Sequence, residues 1–182
     1  MAQTEWDYND AKLKELILYL AGQSQEDPHF GRVKLMKLLF YCDFGAFGEF
    51  GRPITGARYR KHRLGPVADQ ELLAVRDLEE THAAQVEEVG RYMYRQKRLV
   101  PMRQPDEGIF TDAERDLIDT VLERHRDDHA TDLSDLSHTF PGWRLVETGE
   151  PIPYHTALIA DEPPGVEAAK RVAELAGERG WP

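Results

Sequence analysis

One stretch of the sequence, residues 31–67, constrains the fold of this chain more than any other. In its first part, apolar residues recur at positions i, i+3, i+4 and i+7 and so share one face of an α-helix: Leu35, Leu38, Leu39 and Cys42. Lys34, Lys37 and Tyr41 recur at i, i+3 and i+7 on a different face. The pattern predicts a central helix at about 31–47 with one apolar face and one face carrying two ammonium groups and a phenol.

The second part of this stretch changes from a helical to an alternating pattern. Residues 55–63 alternate along the chain and predict a basic β-strand, and Gly65-Pro66 is expected to end it. Pro66 suits the first turn of a helix, which is predicted to span 67–80. Its inward-facing residues are expected to be Leu72, Val75 and Leu78 or Leu73. The helical character of the central helix is expected to fade through Gly45, Gly48 and Gly51.

The rest of the chain predicts more helices and one hairpin. A first helix at 9–21 has Asn9 as its N-cap, and Thr111 and Glu114 have the spacing of a capping box. The other predicted elements are a hairpin with strands 85–89 and 92–100 turning at Gly90-Arg91, a helix from the capping box to about 126, a short helix at 132–138 capped by Thr131, and a last helix at 165–178. The predicted fold class is mainly α (α+β): one domain over residues 1–182, a helical bundle around the central helix with a small β element.

Composition restricts the function. The net charge of −10 argues against a nucleic-acid partner, because phosphate contacts need clustered cations. No run approaches the roughly 20 apolar residues of a membrane span, and residues 1–10 lack a basic start and an apolar segment. The lone Cys42 lies on the apolar helix face and is predicted to be a small buried apolar side chain. We therefore expect a cytoplasmic protein without a membrane partner.

Two histidines raise the question of a metal. His125 and His129 are four residues apart, which puts two imidazoles on one helical face. No H-E-x-x-H motif is present. Arg126 and the expected helix end indicate that the two histidines have solvent-exposed, positively charged surroundings. Ordinary surface histidines are the favoured interpretation, and no cofactor is predicted. A small metal-dependent hydrolase stays as an alternative.

A cationic surface is the other feature of interest. If the basic strand packs on the central helix, Lys34, Lys37 and Tyr41 would adjoin Tyr59 and the arginines of the strand. Such a surface could bind RNA, a nucleotide or an acidic protein segment, whereas the two lysines could equally pair with carboxylates inside the fold. The candidate partner-binding residues are Lys34, Lys37, Tyr41, Tyr59 and Arg60, with Tyr92 and Arg95 of the hairpin as a second set. Lys37→Glu combined with Arg60→Glu is expected to leave the thermal midpoint nearly unchanged.

The same residues carry a family resemblance. Residues 34–41, KLMKLLFY, resemble the K-L-x-K-L-L-Y signature of the Panacea domain, also called the SocA-like antitoxin domain. Residues 53–56 and 65–67 are similar to two further elements of this family, and Ser137-His138 with Trp143 and then Ile152 resembles its C-terminal signature. The residues that match the family's motifs as structural positions are Leu35, Leu38, Leu39, Gly65, Pro66, Ser137, His138 and Trp143. The resemblance covers roughly residues 13–159.

The resemblance implies a function without catalysis. Panacea proteins are mostly the antitoxins of bacterial and phage toxin–antitoxin pairs, and one branch presents its toxin to a protease. The resemblance also implies a mainly helical fold with a small β element. The predicted function is thus an antitoxin-like module that binds and neutralises a protein toxin encoded nearby, with a proteolytic adaptor as the alternative within the family. The toxin, the oligomeric state, and the choice between occlusion and degradation stay open.

Overall fold

A long helix at the centre of the molecule organises the other elements around it. The structure, a computed structural model, describes residues 6–91 and 94–159; the predicted helix at 165–178 and the candidate Tyr92 lie outside these residues. The helices are α1 (Asp10–Gln23), α2 (Arg32–Phe50), α3 (Glu71–Glu80), α4 (Asp112–Arg124), α5 (Ala130–Thr139) and α6 (Pro141–Leu145), with short 3-10 turns at Glu107–Ile109 and Tyr154–Leu158. The strands are β1 (Tyr59–His62), β2 (Gly65–Ala68), β3 (Ala84–Arg91) and β4 (Tyr94–Pro101). The predicted class, mainly α with small β elements, is confirmed.

Helix α2 buries the predicted apolar stripe and continues further than the sequence suggested. The stripe is almost completely inaccessible to solvent, Cys42 included, and packs with the buried leucines of α1. Gly45 and Gly48 stay helical, and the helix ends only at Gly51, which adopts a left-handed conformation with φ of 71°. A helical glycine costs about 1 kcal/mol relative to alanine, and the buried Phe44 and Phe47 offset this cost by packing.

The segment after β1 is a strand where a helix was predicted. Residues 65–68 form β2, which pairs antiparallel with β1 in the register Tyr59↔Ala68 and His62↔Gly65. Gly65 has a φ of 103°, a conformation that no helix uses. Helix α3 begins only at Glu71. Its buried face carries Val75 and Leu78, and Leu72 and Leu73 are exposed. The predicted helix is present over residues 71–80, whereas its expected start at residue 67 and the inward direction of Leu72 are wrong.

Strand β1 is paired on both of its edges. Opposite β2, the backbone of residues 149–152 runs along β1: the Gly149 N–H donates to the Lys61 carbonyl at 2.8 Å, and the Ile152 N–H donates to the Tyr59 carbonyl at 2.8 Å. The Lys61 N–H donates to the Glu150 carbonyl at 3.0 Å. Residues far apart in the sequence thus complete one small sheet-like layer beside α2.

The predicted β-hairpin is present, but Gly90-Arg91 is not its turn. Gly90 and Arg91 pair with Arg95 and Tyr94, so both belong to the β3–β4 ladder. The hairpin is attached to the α1–α2 connection by Arg98, whose guanidinium donates to the carbonyls of Ser24, Gln25 and Asp27.

The two helix starts in the second half of the chain differ in how well the sequence predicted them. The capping box of α4 is confirmed: the Glu114 N–H donates to Thr111 Oγ1, and the Thr111 N–H donates to Glu114 Oε2. Helix α5 begins at Ala130, with His129 as its N-cap in place of the predicted Thr131. None of the helices in residues 6–91 and 94–159 is long and apolar enough to cross a lipid bilayer.

Candidate functional site around Lys37

The predicted cationic face of α2 is not a surface. The side chains of Lys34, Lys37 and Tyr59 are each about 1% exposed, and Tyr41 is half-buried. Because a helical period says which residues share a face but not what covers that face, the sequence could not show that β2, α4 and α5 pack over these residues. The exposed surface on which the first set of partner-binding candidates depended is therefore absent, apart from Arg60.

Lys34 ties two connections of the chain together. Its Nζ lies 2.8 Å from Asp27 Oδ2 and donates to the carbonyls of Arg126 at 3.0 Å and Asp128 at 2.7 Å. An ammonium group has three N–H donors, and all three have an acceptor here. Pairing with a carboxylate inside the fold, the alternative left open by the sequence, is what the structure shows for Lys34.

Lys37 lies at the point where three separate motif segments meet. Its Nζ donates to the Pro66 carbonyl at 3.2 Å, and no carboxylate of the described residues lies within 4 Å of it. A Cβ on Gly65 would lie 2.7 Å from Lys37 Nζ and would collide with Ser137 Oγ. Ser137 Oγ in turn donates to the Ser134 carbonyl at 2.7 Å. We call Lys37, Gly65, Pro66 and Ser137 the Lys37 node.

The electrostatics of the Lys37 node are unusual for a lysine. Burial without a counter-charge lowers the pKa of Lys37 to about 8. Replacing this ammonium with a carboxylate would place a negative charge against the Pro66 carbonyl. Lys37→Glu is therefore expected to destabilise the fold, which replaces the expectation from the sequence of an unchanged thermal midpoint.

Tyr59 belongs to a buried carboxylate cluster that the sequence analysis missed. Asp43 has no exposed surface and accepts three hydrogen bonds: from the Thr55 N–H at 2.7 Å, from Thr55 Oγ1 at 2.5 Å and from the Tyr59 hydroxyl at 2.8 Å. Burial raises the pKa of Asp43, and the hydrogen bonds oppose this rise. The available signal was a carboxylate flanked by Cys42 and Phe44 in the apolar part of the helix sequence.

The two candidate metal ligands point to different neighbours. His125 is buried, its Nδ1 lies 2.7 Å from Asp128 Oδ2, and its ring stacks on Tyr41 with centroids 4.9 Å apart. The His129 ring lies instead against His29, with centroids 3.8 Å apart and the ring planes inclined by 43°. Within 6–91 and 94–159, no three His, Cys, Asp or Glu side chains come together as metal ligands.

The C-terminal motif residues stiffen the end of the small sheet. The His138 ring stacks on Trp143 with centroids 4.1 Å apart, and Lys61 Nζ lies 4.2 Å from the centre of the Trp143 ring. Lys61 Nζ also donates to the Val146 carbonyl at 2.8 Å. Trp143 thus links α5 and α6 to β1.

Arg60 and Arg95 are the candidates that reach the surface. Arg60 forms hydrogen bonds with Asp69 at 2.9 Å and donates to the Gly149 carbonyl at 3.0 Å. Arg95 is well exposed and lies 3.5 Å from Glu88. Because no observation tests partner binding, both stay predictions.

The surface also carries two apolar depressions on either side of one arginine. The first, of about 370 Å³, lies between α2, α3 and the hairpin; we call it the α3 groove, and its apolar lining is Leu35, Leu72, Val75, Val86 and Leu99. The second, of about 140 Å³, we call the turn hollow; its apolar lining is Val33, Met36, Leu64 and Val67. Arg32 lines both depressions, and its guanidinium forms two hydrogen bonds with the buried Glu71, at 2.9 and 3.2 Å.

Comparison with known proteins gave one match. The family model described as antitoxin SocA-like, Panacea domain, matches residues 35–144, more than half of the chain. No curated protein and no solved structure matches the chain. The matched region contains every residue of the Lys37 node.

Proposed function

The chain belongs to the SocA-like antitoxin family with a Panacea domain, and from this premise we propose that it neutralises a cognate protein toxin by binding to it directly. The match over residues 35–144 is the observation that carries the proposal. The pair would act in the cytoplasm of a prokaryotic or phage-infected cell, and this chain would form or break no covalent bond.

The location of the motif residues supports a preformed binding module. Lys34, Lys37, Gly65 and Ser137 lie inside the fold and hold α2, β2, α5 and the connections next to them in place. A surface held this way loses little conformational freedom on association, so more of the contact energy is available for affinity. Exposed side chains outside the motifs would then determine which toxin is bound.

Co-expression tests the proposal. The gene next to the one for this chain is expressed from an inducible promoter, alone and together with this chain, and growth is followed. We expect growth to stop with the neighbouring gene alone, to recover with both, and the two proteins to elute as a stable complex in size-exclusion chromatography. Growth arrest that persists at equal expression levels would contradict the proposal.

The same strains distinguish binding from proteolytic delivery. Direct neutralisation predicts that the half-life of the toxin is the same with and without this chain, and that rescue survives deletion of the cytoplasmic ATP-dependent proteases. A toxin that disappears only when this chain is present, with rescue lost in the protease-deficient strain, would identify an adaptor.

A further inference from the structure

We propose that residues 160–182 dock as a helix in the groove between α2 and α4. The described part of the chain ends at Ile159, beside this groove, and the argument joins the shape of the groove to the sequence that follows. The inference goes beyond the proposed function and does not depend on it, because it concerns a contact within one chain.

The groove is an apolar depression of about 410 Å³ on the side of α2 that faces α4, and we call it the α4 groove. Its apolar lining is Phe40, Phe44, Leu117, Val121, Phe140 and Ala157. Phe40 and Phe44 are buried, whereas Phe140 and Ala157 are partly exposed. Glu49 and Arg124 add one charge of each sign to the lining, so charge does not select the occupant. The groove offers apolar surface that an occupant can cover.

The chain itself leads away from the wall of the α4 groove. Ala157 belongs to the turn Tyr154–Leu158 and lines the groove beside Gly48. The next two residues, Leu158 and Ile159, are 65% and 43% exposed. Residues 160–164 can span at most about 17 Å when extended, so the residues that follow them stay close to the groove. A segment tethered this closely has a high effective concentration at the groove, because closing so short a loop costs little entropy.

The sequence of the segment is that of a helix with one apolar face. Pro163-Pro164 precedes the helix predicted at 165–178 and suits its first turn. The residues that share the apolar face are Val166, Ala169, Val172, Ala173 and Ala176, and the charged residues Glu167, Arg171, Glu174 and Glu178 share the opposite face. A helix of this length is marginal by itself in water and is stabilised by burial of its apolar face.

Two glycines of α2 fit this occupant. Gly45 and Gly48 line the α4 groove, and a Cβ on either would meet no atom closer than 3.6 Å. The described contacts therefore do not require glycine at either position, although glycine is unfavourable inside a helix. A glycine surface lets a second helix approach closely, and the apolar face of the predicted helix is mostly alanine. Close packing of the two helices accounts for both features.

Distances between two spin labels test the docking in the full chain. The only cysteine, Cys42, is fully buried, so the labels attach to introduced cysteines. D116C is exposed on α4 next to the groove, and E174C lies on the charged face of the predicted helix. We expect double electron–electron resonance to give one narrow distance distribution between about 20 and 35 Å, because packed helix axes lie about 8–10 Å apart and the label arms add the rest.

Two variants with matched controls test the two surfaces. V172E places a carboxylate on the apolar face, whereas R171E places the same residue one position away on the charged face, with a larger change in charge. G48Q fills the groove from α2, whereas G22Q makes the same change in α1, where a Cβ meets nothing within 4 Å. We expect V172E and G48Q to broaden the distribution at least about twofold, because an undocked segment samples the distances of a flexible chain. The two controls should leave it narrow.

Each other outcome contradicts the proposal. A broad distribution without any of the four changes would refute the docking. A narrow distribution that V172E and G48Q leave unchanged would show that the segment packs elsewhere. Equal broadening by a variant and its control would remove the evidence for a specific contact and refute the assigned face. No toxin takes part in this measurement, so none of these outcomes bears on the proposed function.

Discussion

The Lys37 node leaves no room for a side chain at residue 65, and Gly65→Ala tests this geometry. An alanine Cβ there would lie 2.7 Å from Lys37 Cε and Nζ and would collide with Ser137 Oγ. Both side chains are buried, so neither can swing into solvent to make space. We predict that the free energy of unfolding falls by roughly 2–5 kcal/mol, the sum of a backbone and a packing contribution.

The backbone contribution follows from the φ of 103° at residue 65. A side chain in such a sparsely populated region costs of order 1–3 kcal/mol. Alanine also lowers the conformational entropy of the unfolded chain, and this stabilises the folded protein by about 0.4–1 kcal/mol and offsets part of the backbone cost. Overpacking a buried site adds about 1–3 kcal/mol.

Gly149→Ala is the matched control. Gly149 has a φ of 89°, close to that of Gly65, but a Cβ there would meet nothing within 4 Å. The control should therefore show the backbone contribution alone, about 1–2 kcal/mol. Urea unfolding followed by far-UV circular dichroism gives both values, provided that the m-values match the wild type.

Equal destabilisation by the two alanines, within about 0.5 kcal/mol, would refute the packing argument. The double variant Gly65→Ala with Ser137→Ala tests whether Ser137 causes the packing contribution. Because Ser137→Ala removes one of the colliding atoms, Gly65→Ala should cost less in that background, with a coupling of about 0.5–3 kcal/mol between the two changes.

Two further predictions concern the buried ionisable groups. The pKa of Lys37 is lowered to about 8 from its ordinary 10.5, so the unfolded chain binds more protons than the folded chain in this range and stability should rise with pH between these values. Lys37→Met should remove this rise, and urea unfolding of both proteins at pH 7.5 and 10 measures it; identical pH profiles would contradict the burial. For Asp43, whose pKa is raised, the folded chain binds the extra proton, so stability should fall as pH rises through the range above the ordinary value of 3.8. Asp43→Asn should flatten that fall and lower stability by about 1–3 kcal/mol, because its amide N–H₂ must face hydroxyl donors of Thr55 or Tyr59; a variant with unchanged stability and pH profile would contradict this.

The sequence predicted the elements whose cause is local. The apolar period of α2, the Asn9 cap of α1 and the capping box of Thr111 and Glu114 each depend on residues within a turn or two of one another. Such patterns are visible before anything is known about the rest of the fold. The antitoxin family was found in the same way, from the short motif at residues 34–41 and its order relative to later motifs.

What the sequence could not show depends on contacts between distant segments. The faces of Lys34 and Lys37 have the same period whether solvent or protein covers them, so the sequence left open whether the two lysines are exposed or paired inside the fold. Apart from Asp27, which pairs with Lys34, their partners are the carbonyls of Pro66, Arg126 and Asp128, which lie 29 to 94 residues away in the chain. Because every residue has a backbone carbonyl, the sequence does not indicate which carbonyl accepts a hydrogen bond from a lysine.

The strand at residues 65–68 was missed for a related reason. Pro66 fits both the first turn of a helix and a strand position that donates no ladder hydrogen bond. Pairing with β1 decides between the two, and the packing of Lys37 and Ser137 leaves no space for a Cβ at Gly65. The buried face of α3 consists of Glu71, Ala74, Val75 and Leu78, at i, i+3, i+4 and i+7, and Leu72 lies outside this face.

The double pairing of β1 determines where the chain can be cut. The region recognised as the family ends at residue 144, yet the backbone of residues 149–152 covers one edge of β1, and α1, before the region begins, fills the other side of the core with leucine. A fragment trimmed to the recognised region would leave one edge of β1 unpaired and free to pair with other chains. It would also lack the leucines of α1 that fill one side of the core. A transfer of this domain to another gene therefore preserves the fold only when α1 and residues 149–152 are included.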